Sequence, residues 1–250
     1  MSEDIKKEEM SSMLQEKMEG LFEAVVQGRK EYYQDNQAPA LNEVKGIVAK
    51  YGYLNAGISG GIGLIPGPFG MAATIPEIVV IINNQLKMIY DIGMAHGKKD
   101  VLTKELLMGI FGAGIGSGGI GLLSIHGSKV LVKPASLRVL KKVITVLGGK
   151  VSQKALAPMI AKWLPFIGAA GMAAWSKYST SKIGEYAEEI LSKDIEIDKK
   201  ELIDIEIEDA VIVGSKDNIV IEAKINSLIH LMKADDRIHE KEIEYIERVH

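Results

Sequence analysis

Two groups of carboxylates are the residues of this sequence best suited to chemistry. Near the end of the chain, four acids fall within eight residues: Asp235, Asp236, Glu240 and Glu242. Carboxylate oxygens are the ligands that Ca²⁺ and Mg²⁺ prefer, so this spacing predicts a divalent-cation site. The alternative is helix-start chemistry, in which an aspartate caps the last helix and the glutamates stabilise its positive end. Histidines at 230, 239 and 250 could join a transition-metal site, but solvated histidines are the simpler interpretation.

The second group is Glu77 and Asp91, which lie in an apolar segment predicted to be helical. A separation of fourteen residues is close to four helical turns, so both acids are expected on one face. Ion pairing with Lys87 or with the lysines of residues 129–154 is the predicted role. A polar pocket around the two acids would instead support an enzyme of unrecognised type. The sequence contains no G-x-S-x-G, H-E-x-x-H, C-x-x-C or kinase motif, so a non-enzymatic protein is expected.

Residues 111–121, FGAGIGSGGIG, contain six glycines and no charge. They match G-x-G-x-x-G, but a dinucleotide site needs a preceding strand and an acid about 20 residues later. Here the preceding run looks helical and the next acid is Glu185. The interleaved apolar residues also exclude a polar linker. The remaining interpretation is that the stretch belongs to closely packed helices. These helices could form a soluble core, membrane-inserted hairpins or transmembrane spans. The predicted packing glycines are Gly57, Gly61, Gly112, Gly114, Gly116, Gly118, Gly168 and Gly171.

A basic segment, residues 129–154, indicates which class of partner the protein binds. The formal net charge is −3, yet no Asp or Glu occurs from Leu106 to Gly184. Each basic residue near an anionic leaflet contributes about 1 kcal/mol, which favours an anionic membrane surface or a membrane protein as partner. The alternative is a solvated helix face that neutralises the acidic C-terminal part, and no nucleic-acid motif is visible. The predicted contact residues are Lys129, Lys133, Arg138, Lys141, Lys142, Lys150 and Lys154.

Helices are predicted around these residues, so the expected fold class is all-α. Apolar spacing over residues 4–33 predicts an amphipathic helix, either a packing arm or a partner-binding helix. Asn42 is the expected N-cap of a helix to Lys50. The IPGPFG run at 65–70 predicts a turn, and Pro76 predicts the first turn of a helix ending near Ala95. Asp100 or Thr103 is expected to begin the next helix.

The composition changes near Ser192. The run DIEIDKKELIDIEIEDAVIV alternates isoleucine with acids, which is the period-2 pattern of half-buried strands. A linker with one short helix at 198–204 is the alternative. Four regions follow: an amphipathic arm (1–38), a glycine-rich cationic helical core (39–191), an acidic linker or short hairpin (192–220) and a C-terminal helical module (221–250).

The run YGYLNAGISGGIGLIPGPFGMAATIPEIVVIINNQLKMIYDIGMAHG resembles the EcsC family. The shared features are a glycine-rich apolar stretch, a Pro-Gly turn and a Pro-acid helix start leading into a long apolar helix. The resemblance covers roughly residues 40–190. It implies a bacterial helical protein associated with membranes, without implying catalytic residues.

Residues 226–249, NSLIHLMKADDRIHEKEIEYIERV, resemble the first part of a TerB-like domain of the tellurite-resistance type. Ala234, Asp235 and Glu242 match that family's pattern, whereas Asp236 stands where glycine is usual. The resemblance implies a pair of helices whose acids hold a divalent metal.

Together these features favour a non-enzymatic, membrane-associated interaction or regulatory protein, acting in envelope or metal and toxic-oxyanion stress. A pore-forming or membrane-disrupting effector with glycine-zipper hairpins is the alternative. The acidic start, MSEDIKKEEMSS, lacks the pattern of a secretory signal, and cysteine is absent. The expected location is therefore the cytoplasm, peripheral to the inner face of the cell membrane.

Overall fold

Helices make up most of the chain, as predicted, and the fold class is all-α with one small sheet. The computed structural model describes residues 12–63, 67–117, 121–160 and 165–198, and gives at most the backbone over 62–74 and 152–172. The helices are α1 (Leu21–Asp35), α2 (Val44–Gly63), α3 (Gly67–Ala95), α4 (Lys104–Gly114), α5 (Leu137–Ile160) and α6 (Pro165–Leu191). The strands are β1 (Leu123–His126), β2 (Lys129–Val132) and β3 (Asp194–Ile197).

The N-terminal region packs onto the rest of the molecule through its apolar stripe. Its described part confirms the packing arm, because the residues at helical spacing are buried: Leu14, Met18, Phe22, Val25 and Val26. The single helix predicted over 4–33 is wrong in one respect. Residues 12–18 are helical, but Gly20 has a φ of 82°, which separates them from α1.

Helix α2 begins later and runs further than predicted. Asn42 is not its N-cap, because it lies within a 3₁₀ turn, Leu41–Glu43. The Glu43 carboxylate accepts a hydrogen bond of 2.6 Å from the backbone N–H of Ala40, so Glu43 organises this start instead. The helix then continues through the uncharged glycine-containing stretch to Gly63.

Helix α3 starts at Gly67, nine residues before the predicted start at Pro76. Pro68 is the proline in its first turn, where a missing N–H costs nothing, and Pro76 lies inside the helix. The C-terminal end agrees with the prediction, since α3 ends at Ala95 and Gly97 has a φ of 68°. Thr103 caps α4, as expected, and its hydroxyl accepts a hydrogen bond from the N–H of Leu106.

The glycine stretch after residue 110 is helical only in its first part. Helix α4 ends at Gly114, and Gly116 has a φ of 76°. An antiparallel hairpin of β1 and β2 follows, which the sequence reasoning missed. Gly127 and Ser128 form its two-residue loop, and the φ of 60° at Gly127 is the conformation that such loops require. A Gly-Ser pair between two short apolar-rich runs was the available signal.

Strand β3 confirms the predicted strand pattern where the structure describes it. It pairs in parallel with β2, so the sheet order is β1-β2-β3. Ile195 is buried and Ile197 is half-buried, whereas Asp194 and Glu196 are exposed. The chain passes from β2 through α5 and α6 before it returns to this strand.

The core centres on α2, α3 and α6. The most extensive helix–helix contact joins α2 to α6. These two helices are antiparallel, because Gly52 faces Lys177 whereas Gly60 faces Ala173. Residues of α4, α5 and β2 extend the same apolar cluster.

Candidate functional site

Asp91 of α3 is the centre of a buried polar cluster. It forms an ion pair with Arg29 of α1, and the two side chains are only 11% and 14% exposed, respectively. The hydroxyl of Tyr33 donates to Oδ1 of Asp91 at 3.0 Å, and the hydroxyl of Tyr51 donates to Oδ2 at 2.9 Å. Three helices therefore converge on one carboxylate.

Aromatic rings enclose this cluster. The Arg29 guanidinium lies 4.2 Å from the ring centroid of Tyr32 and 4.8 Å from that of Tyr33, and Tyr90 stacks on Tyr33. Burial, together with the negative charge of Asp91, raises the pKa of both Tyr33 and Tyr51. Because the oxygens of Asp91 already accept these hydrogen bonds, the arrangement suits holding α1 on the core better than proton transfer.

The predicted partners of Asp91 were wrong. The expectation named Lys87 or the lysines of residues 129–154, whereas the observed partner is Arg29. Sequence reasoning missed Arg29, Tyr33 and Tyr51. The sequence did contain a signal for Arg29 and Tyr33, because they continue the buried helical stripe of Phe22, Val25 and Val26. A charged residue on such a stripe needs a buried partner of opposite charge.

A second polar cluster joins α2, α3 and α6. Asn84 donates a hydrogen bond of 2.8 Å to the side-chain oxygen of Asn55. Asn55 and Gln85 both donate to the hydroxyl of Thr180, at 3.0 and 3.1 Å. Thr180 in turn donates to the carbonyl of Ser176 at 2.8 Å. This neutral network fixes the relative rotation of the three helices.

Glu77, Asn84 and Asp91 are spaced seven residues apart on α3, close to two turns, and all three are buried. The prediction that Glu77 and Asp91 share one face is therefore confirmed. On α2 and α6, the hydroxyls of Ser59 and Ser176 are also buried and make no hydrogen bond within the described residues. The polar face of α3 thus runs through the interior between α2 and α6.

The basic residues of this segment lie on β2, in the link after it and at the start of α5. Val139, Leu140, Val143, Ile144 and Leu147 of α5 are buried, so the intervening residues point outwards. Arg138, Lys141 and Lys142 are exposed, and Leu137 beside them is 69% exposed. Lys129 is exposed on β2, and Lys133 follows it half-buried. We refer to Leu137, Arg138, Lys141, Lys142, Lys129 and Lys133 as the basic face.

Acidic side chains from both ends of the described chain contact this basic face. Lys129 pairs with Glu196 of β3 at 3.0 Å, and Lys141 pairs with Glu19 at 3.2 Å. Both pairs are largely exposed, so each contributes little to stability. Lys150 lies further along α5 and is half-buried, whereas the side chain of Lys154 lies outside the described residues.

The predicted packing glycines divide into several groups. A Cβ at Gly114 would lie 2.7 Å from Cγ1 and 2.9 Å from Cα of Ile183, so α4 and α6 do meet closely there. At Gly57 and Gly61 a Cβ would meet no described atom within 4 Å, so close packing at these two positions is wrong. The physical reason is their orientation, because Gly52 and Gly60 lie on the face of α2 that meets α6.

The other predicted glycines have different environments. Gly112 is buried in α4, and Gly116 forms the left-handed turn after that helix. Gly118 lies outside the described residues, and only the backbone is described at Gly168 and Gly171. Sequence reasoning missed the tight contact of Gly184 with Val48, where an added Cβ would lie 2.7 Å from the valine methyl groups.

The predicted metal ligands Asp235, Asp236, Glu240 and Glu242 lie outside the described residues, so the cation site stays a prediction. Within the described ranges, no group of three or more His, Cys, Asp or Glu side chains is arranged to hold a metal ion. No described helix has the length and apolarity needed to cross a membrane.

Comparisons with protein-family models, curated protein sequences and solved structures find no match to this chain.

Proposed function

We propose that this protein is a non-enzymatic interaction module that attaches reversibly to anionic membrane surfaces on the cytoplasmic side. The observation that carries the proposal is the basic face. Three exposed cations in the first two turns of α5, Arg138, Lys141 and Lys142, lie beside the exposed apolar side chain of Leu137. Cations attract lipid phosphates, and an exposed leucine among them gains free energy by entering the interfacial region.

Two acids of the protein itself compete with lipid phosphates for lysines of the basic face. Glu196 and Glu19 occupy Lys129 and Lys141 in water through exposed ion pairs, which cost little to break. An anionic leaflet offers the same lysines many phosphates at once. Glu19 and Glu196 therefore lower the affinity of the basic face for the membrane. The EcsC and TerB resemblances suggest a biological role in envelope or toxic-oxyanion stress.

The test is co-sedimentation of the full chain with vesicles that contain anionic or only zwitterionic lipid. The variant Arg138→Gln/Lys141→Gln/Lys142→Gln removes three exposed charges and leaves the buried residues of α5 unchanged. At about 1 kcal/mol for each charge, its partition coefficient on anionic vesicles is expected to fall about 100-fold. Binding of the unmodified chain is expected to weaken with added salt, because the Debye length shortens to about 3 Å at 1 M.

A matched control removes three exposed lysines elsewhere, Lys30→Gln/Lys45→Gln/Lys50→Gln, with the same change in net charge. Equal losses in both variants would mean that net charge alone drives binding, which contradicts a specific basic face. Absence of binding to anionic vesicles would reject the proposal. Release of a trapped dye would instead favour the pore-forming alternative.

A further inference from the structure

Residues 204–207 repeat the sequence of strand β3. Asp194-Ile195-Glu196-Ile197 and Asp204-Ile205-Glu206-Ile207 are identical, and an acid follows each, Asp198 and Glu208. The first copy is a strand of the sheet. The second copy lies outside the described residues.

Backbone hydrogen bonds, one buried isoleucine and one ion pair hold β3 on β2. The backbone N–H groups of Asp194 and Asp198 donate to the carbonyls of Ser128 and Val132 at 2.9 and 2.8 Å. Ile195 is buried on the core side of the sheet, and Glu196 pairs with Lys129 on the exposed side. The segment 204–208 carries the same side chains, or an equivalent acid, at every one of these positions.

We propose that the two copies compete for β2, so that residues 204–208 can replace residues 194–198 in the sheet. In the exchanged state Ile205 occupies the buried position of Ile195, and Glu206 pairs with Lys129. The backbone N–H groups of Asp204 and Glu208 then donate to Ser128 and Val132. This proposal does not rest on the proposed membrane attachment, although both involve the ion pair at Lys129.

Adding the second copy as a fourth strand beside β3 is less favourable. If the isoleucines of both copies face the core, Glu206 lies on the same face as Glu196, and like charges on neighbouring strands repel. The second copy also cannot lie parallel to β3 as its neighbour in the sheet. Six residues separate the two copies, and a parallel crossover needs a dozen or more. Exchange avoids both problems, because only one copy contacts β2 at a time.

The lengths of the links set the balance between the two states. Helix α6 ends at Leu191, so β3 needs a link of two residues, 192–193. The exchanged strand needs residues 192–203 as its link, and closing this longer loop favours β3 on the order of tenfold. In the exchanged state, ten fewer residues would separate the sheet from any point of the chain after residue 208. The exchange would therefore change how far that part of the chain can reach.

Disulfide trapping in the full chain tests the exchange, because the protein has no cysteine of its own. Leu131 is the register partner of Glu196, so the pair Leu131→Cys/Glu196→Cys reports the β3 state. The pair Leu131→Cys/Glu206→Cys is expected to form an intramolecular disulfide about tenfold more slowly. The matched control is Leu131→Cys/Ile205→Cys, which has almost the same tether but the opposite face, and it is expected to react at least tenfold more slowly than the Glu206→Cys pair.

Equal reaction at positions 205 and 206 would indicate random collisions and overturn the proposal. Absence of a disulfide at 206, or a disulfide formed only between two chains, would overturn it as well. Ile205→Asp is expected to abolish the 131–206 disulfide, whereas Ile195→Asp is expected to increase it. If Ile195→Asp loses its helical circular dichroism signal, Ile205→Asp decides alone, since it lies outside β3.

Discussion

Asp91 and Arg29 illustrate how a single buried charge pair fixes an element. Desolvating both groups costs free energy, which is offset here by their mutual attraction and by the hydroxyls of Tyr33 and Tyr51. Such a pair adds little net stability compared with a well-packed apolar pair, but losing one partner leaves a buried charge. The pair therefore determines where α1 docks more than how stable the protein is.

Asp91→Asn is expected to lower the free energy of unfolding by about 3 kcal/mol, because Arg29 stays buried without its counter-charge. Urea denaturation measures this loss. Exposed Asp35→Asn is the control and is expected to change stability by less than about 0.5 kcal/mol. In the double variant Arg29→Met/Asp91→Asn the loss is expected to be smaller than the sum of the two single losses. Additive losses would contradict the coupling.

The tyrosines in this cluster predict an alkaline limit to stability. The pKa of Tyr33 and of Tyr51 is raised from 10.0 in the folded protein, chiefly by burial and also by the charge of Asp91. Their contribution is complete below pH 10 and falls above it, because the unfolded chain releases these protons first.

Tyr33→Phe and Tyr51→Phe are each expected to reduce this alkaline loss of stability. The measurement is urea denaturation at a series of pH values from about 9 to about 11. The exposed Tyr53→Phe serves as the comparison. If the pH dependence of both buried variants equals that of the unmodified chain, the raised pKa values are not responsible for it.

At the scale of elements, glycine has two opposite roles in this fold. Gly114 lies where α4 approaches the backbone of α6, so a side chain there has no space. Gly57 lies inside α2, is exposed and has no atom of the described residues within 4 Å of a Cβ added there. A glycine in a helix costs about 1 kcal/mol relative to alanine, and only the first position recovers this cost through close contact.

Gly114→Ala is expected to destabilise the protein by about 1–3 kcal/mol, because the added Cβ overlaps Ile183. Gly57→Ala is expected to stabilise it by up to about 1 kcal/mol, because alanine favours the helix and its Cβ would meet no atom among the described residues. Thermal unfolding of the two variants side by side measures both effects. Stabilisation by Gly114→Ala would show that α4 and α6 are not in close contact.

At the scale of the whole molecule, opposite charges from distant parts of the chain meet on the basic face. Glu19 comes from the N-terminal arm and Glu196 from the last described strand. The sheet brings Glu196 to Lys129 even though 66 residues separate them in the chain. Any anionic partner of the basic face therefore competes with the protein's own acids.

Glu196→Gln is expected to increase binding to anionic vesicles by up to about fivefold, since it releases Lys129 and contributes about 1 kcal/mol. The control is Glu31→Gln, an exposed acid of α1 with the same change in net charge. Vesicle co-sedimentation at low salt measures both variants. An equal increase in the control would attribute the effect to net charge rather than to competition at Lys129.

The sequence alone determined the features that depend on local spacing. Apolar residues at helical intervals determined the all-α class and the buried stripe of the N-terminal arm. Asp100 and Thr103 were the two candidate helix starts, and alternating isoleucines predicted strands where β3 lies. Local spacing also predicted that Glu77 and Asp91 share one face. These features follow from backbone periodicity, which neighbouring residues set.

Only the tertiary structure decided which of those faces meet. It selected Arg29 as the partner of Asp91, Gly114 rather than Gly57 as a close contact, and β2 as the strand that pairs with β3. Each of these choices joins residues far apart in the chain. They depend on the docking of whole elements, because a helical stripe specifies what must be buried but not which neighbour buries it.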